Sequence, residues 1–328
     1  MSRRSKAPVF VLGCPRSGTT LLYYMLLSSG GFAFYPEESH VFNMIVPKFG
    51  NLASRKSREQ LMKRWLKSIF FEHSGLDART IERKILEECR NGRDFLRIVM
   101  EEIARQQNVD RWADTTPEHL LYIPTIKKAF PEALIIHSIR DGRDVALSMD
   151  KLHWLRPFPW DKQHSLMVHG LYWEWIVRQG RRDGQLFRGD YMEVHFEDLM
   201  SRPNETLATI GRFIEHDLDY DKIRKVGLGS VGSPNTSFQT EVSVGQFSPV
   251  GRWKKNFSAQ QLEMFEALVG PFLRELGYPL ETSRSATSRS IGLAAKRLLY
   301  QSNFSLKLAL KSRTPLGRVF MRTPDLEP

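Results

Sequence analysis

The chain predicts an α/β fold of three layers, a central parallel sheet flanked by helices, with a basic helical extension at the C-terminus. Three observations predict it. Apolar runs such as ALIIHSI (133–139) show no polar alternation, as expected of strands covered on both faces. Segments of helical periodicity stand between those runs, which is the pattern of a layered α/β domain. The first apolar run, PVFVLG (8–13), breaks at Gly13 and restarts as helix after Gly18.

Taken in order, the predicted strands are 8–13, 31–35 (GFAFY), 111–114 (RWAD), 133–139 and 191–196 (YMEVHF). The predicted helices are 18–29, about 57–71, 79–107, 118–129, 143–151, 164–182, 204–214 after Pro203, and 258–276. Residues 227–251 are rich in Gly, Ser, Pro and Thr and read as a long loop, a kind of segment that often carries function. Residues 1–280 are expected to form one domain, 281–290 (ETSRSATSRS) a linker, and 291–328 the extension. In the extension Ile291, Ala294, Ala295, Leu298 and Leu299 follow helical spacing with Lys296 and Arg297 between them. That helix is expected either to pack back on the domain or to lie on an anionic membrane surface.

Composition narrows the class. The 328 residues carry a net charge of +11 and a mean hydropathy of −0.37. Residues 283–328 hold nine Lys/Arg against Asp325 and Glu327, so the body is only mildly basic. With the charge in the tail and no basic–aromatic interleaving of an RNA module, no nucleic-acid partner is expected. No apolar run approaches the ~18–20 residues of a membrane span. The N-terminal MSRRSKAP leads straight into a strand without the apolar core of a signal peptide. Only Cys14 and Cys89 are present, which excludes a disulfide framework and a Cys-rich metal site. A cytoplasmic location is expected, with peripheral membrane contact as the alternative.

Three segments carry chemistry. In 13–20, GCPRSGTT, a Gly-rich turn enters a helix N-terminus, where converging N–H groups and the helix dipole suit a phosphate. The stretch nearly fits the P-loop pattern G-x-x-x-x-G-K-[ST] with Gly13, Gly18 and Thr20 in register. Thr19 stands where Lys is usual, and the cation has moved to Arg16. Arg16 can hold anionic oxygens, with Ser17, Thr19 and Thr20 as hydroxyl donors. In the second segment Arg140 leaves the end of a buried strand and Ser148 follows eight residues later. A second anion clamp at a strand end would suit a nucleotide with two separate phosphate groups. The third, SPVGRWKKNFS (248–258), offers Gly251, Arg252, Lys254 and Lys255 to close over an anion, with Trp253 to pack on the fold.

Together and in this order these segments resemble the sulfotransferases that use 3′-phosphoadenylyl sulfate (PAPS), over roughly residues 8–280. Within that family they resemble the membrane-bound and bacterial branch that includes tyrosylprotein sulfotransferases. PRSGTT resembles the family's 5′-phosphosulfate loop, Arg140 and Ser148 its Arg-x₇-Ser 3′-phosphate site, VGRWKK its late glycine/basic segment, and VHFEDL (194–199) its V-x-[YF]-E-D-L strand end. The resemblance implies a P-loop-type fold, no metal, and transfer of a sulfuryl group from PAPS to an acceptor hydroxyl or amine of a carbohydrate, lipid or protein. It implies donor contacts from Arg16, Ser17, Gly18, Thr19, Thr20, Arg140, Ser148, Gly251, Arg252 and Lys254, and a catalytic role for Arg16. FYPEESHVF resembles the branch's G-E-E-[TS] element, which makes Glu38, rather than Glu37, the general base, with His40 and His119 as alternatives. Two adjacent carboxylates facing a cleft would raise the pKa of one of them. Ser237 is implied as a phosphate-contacting catalytic Ser, and Phe196 and Phe238 as adenine-stacking rings, with core packing the other reading for Phe196. ADTTPEH departs from the family's Lys-[TD]-Pro element, placing Thr115 at the Lys position. Two rivals remain at this point. One is a P-loop kinase or NTPase, which would want Lys at position 19; the other is a non-catalytic nucleotide-binding protein of the same fold, suggested by Thr115.

Overall fold

Five consecutive buried residues, VFVLG, form strand β1 (Val9–Gly13) in a computed structural model that describes residues 4–226, 248–282, 291–314 and 326. Strands β2 (Ala113–Asp114), β3 (Leu134–Ile139) and β4 (Tyr191–His195) join it in one sheet of order β2-β1-β3-β4. All three pairings are parallel, with Gly13 opposite Ser138 and Ile139 opposite His195. The period of two divides each strand between two cores. Phe10, Leu12, Ile135 and Ile139 face one cluster, built with helices Gly92–Gln106, Gly142–Lys151, Ser165–Gly184 and Ala259–Glu275. Val9, Val11, Leu134 and Ile136 face the other, built with helices Thr19–Ser28 and Pro203–Ile214. The expected three-layer α/β fold is therefore observed. After β2 is added on one side of β1, β3 and β4 are added on the other, and this switch point puts the crevice at the C-terminal ends of β1 and β3, where such sheets bind ligands.

Several expected elements differ. GFAFY is not a strand: only Phe32 bridges to Arg111, after which the Gln107 side chain takes both the Phe34 N–H (2.6 Å) and its carbonyl (2.8 Å). A side chain has replaced the next strand partner. The single helix expected over 79–107 is two, Ala78–Glu88 and Gly92–Gln106, because Asn91 caps the second by accepting from Asp94 N–H. The one expected over 57–71 ends at Trp65 and restarts at Ile69, where the Ser68 hydroxyl bonds back to the Trp65 carbonyl at 2.6 Å. Residues 118–129 split into a 3₁₀ turn, Pro117–Tyr122, and an α-helix, Ile123–Ala129, with a proline in its first turn.

The C-terminal helix Ile291–Arg313 packs back on the domain. Tyr300 and Phe304 are buried, Phe304 against Tyr172 and Trp175. Its charges face inward: Lys296 pairs with Asp161 at 2.7 Å and Arg297 with the fully buried Glu174. Most of the segment expected as a linker, and Ser237 and Phe238, lie outside the described residues. Among the described residues, no helix is long and apolar enough to cross a membrane.

Candidate active site

The loop after β1 is built to approach something closely. Gly18 caps helix Thr19–Ser28 at φ +84°, and an added Cβ would sit 2.2 Å from the Phe196 ring. Arg16 also holds a positive φ of 74°, a strained conformation for a side-chain-bearing residue. At Gly13 a Cβ would lie 2.7 Å from the Ser138 carbonyl, so β1 and β3 meet here without room for a side chain. The Ser138 hydroxyl donates to the Ser17 carbonyl at 2.7 Å and fixes the loop from below.

The first two segments singled out in the sequence meet. Arg16 Nε donates to Ser148 Oγ at 3.0 Å, and Arg140 Nη1 donates to the Arg16 carbonyl at 2.9 Å. Arg140 also bonds the Pro249 carbonyl, and its guanidinium lies 4.6 Å over the Phe196 ring. Phe196 is thus a buried support for Gly18 and Arg140, the packing role. Burial lowers the Arg16 pKa first and the charge of Arg140 second, with Glu38 opposing them. Burial likewise lowers Arg140, opposed by Asp144 and Glu197, while Arg252 adds repulsion. Arg140 thus acts on Arg16, and Arg252 on Arg140, a crowding of cations that an anion would relieve.

Asp144 links the third segment to the same place. It accepts from Gly251 N–H at 2.7 Å and Trp253 N–H at 3.0 Å. Glu197 of the VHFEDL stretch ties β4 to β3 by accepting from Asp141 N–H and the Tyr278 hydroxyl, each at 2.9 Å. Sequence reasoning offered Asp144 only a helix cap and Glu197 only a place in the VHFEDL pattern, because the groups that donate to them are remote in the chain. Lys254 is exposed and pairs with Glu281 at 3.0 Å, apart from the cluster around Arg140.

Three buried polar atoms in this region have no hydrogen-bond partner among the described residues: Ser17 Oγ, Thr115 Oγ1 and Arg140 Nε. A buried hydroxyl or guanidinium N–H without a partner costs about 1–3 kcal/mol, so such atoms are suited to a ligand. Thr19 and Ser148 are each 2% exposed, and Thr20 is half-buried at the start of the helix.

The expected pair of carboxylates does not act as a pair. Glu37 Oε1 takes His73 Nδ1 at 2.5 Å, while Glu38 Oε2 faces His40 Nε2 at 3.3 Å. The loop carrying them hangs on the end of β2. Ser39 N–H donates to Asp114 Oδ1 at 3.4 Å, His40 N–H to Thr116 Oγ1 at 3.1 Å and Phe42 N–H to His119 Nε2 at 3.1 Å. His119 Nε2 is an acceptor, so its proton is on Nδ1, which donates to Asp114 at 2.9 Å. His119 is therefore a buried structural residue. Burial acts to raise the Asp114 pKa, but His119 and the surrounding hydrogen bonds outweigh it and hold the carboxyl below its usual range.

Comparison with known proteins identifies the family. A model described as Sulfotransferase family matches residues 8–220, about two thirds of the chain. A protein of Caenorhabditis briggsae named as a candidate protein-tyrosine sulfotransferase is 24% identical over 84% of this chain and 90% of its own length. An uncharacterized protein of Aquifex aeolicus is 28% identical over 64% of this chain, and the match spans only 26% of that longer protein. Among solved structures, a sulfotransferase domain from the curacin biosynthetic pathway aligns over 84% of this chain and 98% of its own, with a TM-score of 0.52 at 16% identity, a likeness of fold. By the match over residues 8–220, which contain both the Gly13–Thr20 loop and Arg140–Ser148, this chain belongs to the sulfotransferase family.

Proposed function

We propose that the protein transfers a sulfuryl group from PAPS to an acceptor hydroxyl, with a tyrosyl hydroxyl in a protein as the acceptor. The observation that carries the donor reading is the joining of the Gly13–Thr20 loop to Arg140 and Ser148 by the Arg16–Ser148 and Arg140–Arg16 bonds. A donor with a phosphosulfate at one end and a 3′-phosphate at the other needs two anion clamps side by side. The partnerless Ser17 Oγ and Arg140 Nε fit such a group, and Gly18 turns the loop into its helix with the Phe196 ring packed against it. The protein-tyrosine acceptor comes from the nematode relative's name, which favours it over a glycan or a lipid.

PAPS supplies an activated sulfuryl group on a phosphate leaving group. The chain's part is positioning and charge stabilisation, which dominate such in-line transfers. Arg16 would offset charge gathering on the leaving phosphate and the transferred oxygens, with the helix N-terminus at Thr19 and Thr20 adding to it. Glu38, near enough to Arg16 to act on its pKa, would accept the acceptor's proton. Arg140, Ser148, Gly251 and Arg252 would hold the 3′-phosphate. Ser237 is proposed as a further phosphate contact, and Lys254 only if it leaves Glu281 on binding. Thr115 leaves the site one cation short of the family pattern, so slow turnover is expected.

The test is incubation with ³⁵S-labelled PAPS and Tyr-peptide, glycan and lipid acceptors, with Glu38→Gln alongside. Label on the peptide hydroxyl that disappears in Glu38→Gln is expected. Absence of transfer to every acceptor and of PAPS hydrolysis, despite nucleotide binding, would favour the non-catalytic reading. Mg²⁺-dependent use of ATP would favour the kinase reading.

A further inference from the structure

The side chain facing Glu38 belongs to a chain of contacts that ends on the C-terminal helix, outside the 8–220 family match. His40 Nδ1 lies 3.3 Å from Asn43 Nδ2, and the same Nδ2 donates to Glu118 Oε2 at 3.0 Å. Lys311 of helix Ile291–Arg313 reaches Glu118 Oε2 at 3.8 Å, and the Tyr172 hydroxyl bonds the same carboxylate. Asn43 is 4% exposed, and its Oδ1 has no partner among the described residues.

These contacts determine one another. A carboxylate only accepts, so Glu118 requires the amide nitrogen of Asn43 to face it. That nitrogen has a second hydrogen, which then points at His40 Nδ1. Nδ1 must accept, so the ring proton sits on Nε2 and donates to Glu38 Oε2. Flipping the Asn43 amide would set its oxygen against Glu118. The His40 backbone is held at φ +49°, in the left-handed region, by its N–H bond to Thr116. Lys311 offsets the negative charge of Glu118, which holds the Asn43 amide beside His40.

We infer that Asn43, Glu118 and Lys311 are positioning residues that keep His40 neutral and in its Nε2–H tautomer, and that the C-terminal helix thereby sets the orientation and basicity of Glu38. A neutral imidazole donor at Nε2 fixes the direction of Glu38 Oε2. An imidazolium in its place would weaken the base. Among the described residues, the charged and titratable groups around this pair include Arg16, Glu37 with His73, Asp114 with His119 through Thr116, and Glu118 with Lys311 and Tyr172. The inference rests on Glu38 being the base; its test does not.

The experiment is ¹⁵N and ¹³C NMR titration of the histidines in the full chain, wild type against Asn43→Asp and Lys311→Met, with His40 assigned by His40→Gln. Wild-type His40 is expected as the neutral Nε2–H tautomer. An aspartate at position 43 faces Nδ1 with a negative charge, and should raise the His40 pKa by about one unit or more. Lys311→Met should raise it by less, and Lys311→Arg should restore it. In sulfuryl transfer the acid limb of kcat for Asn43→Asp should move to higher pH, with binding of adenosine 3′,5′-bisphosphate unchanged. A wild-type Nδ1–H tautomer, or a His40 titration that neither Asn43→Asp nor Lys311→Met moves, would overturn the positioning chain. If Asn43→Asp does not fold, the Lys311 pair decides alone. Full activity in Glu38→Gln with the NMR shifts present would overturn the base and leave the tautomer standing.

Discussion

Gly18 shows how much one residue carries. Its φ of +84° and the 2.2 Å approach of the Phe196 ring leave no strain-free place for a methyl group. Gly18→Ala is expected to destabilise the fold by roughly 1–3 kcal/mol through strain and overpacking. It should also lower affinity for adenosine 3′,5′-bisphosphate, because the loop N–H groups would tilt from the anion. Calorimetry and thermal unfolding measure both. The same nucleotide at about 100 times its Kd should stabilise the wild type by about 2.7 kcal/mol. Ser148→Ala removes the hydroxyl that Arg16 holds and is expected to raise the donor KM more than it lowers kcat. A fall in kcat with unchanged KM would place Ser148 outside the donor site.

At the scale of elements, helices Ala78–Glu88 and Gly92–Gln106 are joined by one buried carboxylate. Glu102, 3% exposed, takes Lys84 from the first helix at 2.7 Å and Arg105 from its own. The hydrogen bond from Arg105 is the largest cause lowering its pKa to about 2, against a desolvation that acts to raise it. A depressed folded pKa means that this stabilisation is present above the ordinary Glu pKa and is lost as pH falls toward 2. Glu102→Gln is therefore expected to cost roughly 1–3 kcal/mol at neutral pH, the range for a hydrogen bond to a charged group. The difference from wild type should shrink in unfolding curves taken below about pH 4. A gap that does not change with pH would mean lost packing instead. The break between these helices was hidden in the sequence because 79–107 keeps its apolar period across it. Only the Asn91 cap, a local polar contact, marks the new start.

The whole molecule depends on its C-terminal helix in a way that the amphipathic spacing did not convey. The period was legible, yet Leu298 and Leu306 point outward at 68% and 58% exposure while Lys296 and Arg297 face the domain. Buried acids on the domain, Asp161 and Glu174, outweigh the leucines in setting which face packs, because an unpaired buried charge costs more than an exposed leucine side chain. Arg297→Met should lower stability by about 1–3 kcal/mol, the cost of uncovering part of Glu174, which keeps Arg178. Unfolding midpoints in urea measure it. An unchanged midpoint would mean that the Arg297–Glu174 contact does not hold the helix, which would then dock through its other contacts, Lys296, Tyr300 and Phe304 among them.

The sequence by itself determined the layered fold, the glycine loop and the three segments that point to the family, because these are written in short-range patterns. The glycine spacing and the apolar runs are local patterns, although the close approaches of Ser138 to Gly13 and of Phe196 to Gly18 are tertiary. Tertiary structure decided what those segments touch. That Arg16 meets Ser148, that Asp144 holds Gly251 and Trp253, and that Lys311 reaches Glu118 all follow from the strand order and from the helices packed on the sheet. Such contacts join residues more than 100 positions apart, and nothing in a local window encodes which side chain will stand opposite. The split of Glu37 from Glu38 is of shorter range: Glu38 turns to His40 in its own loop, while Glu37 turns to His73, 36 positions away.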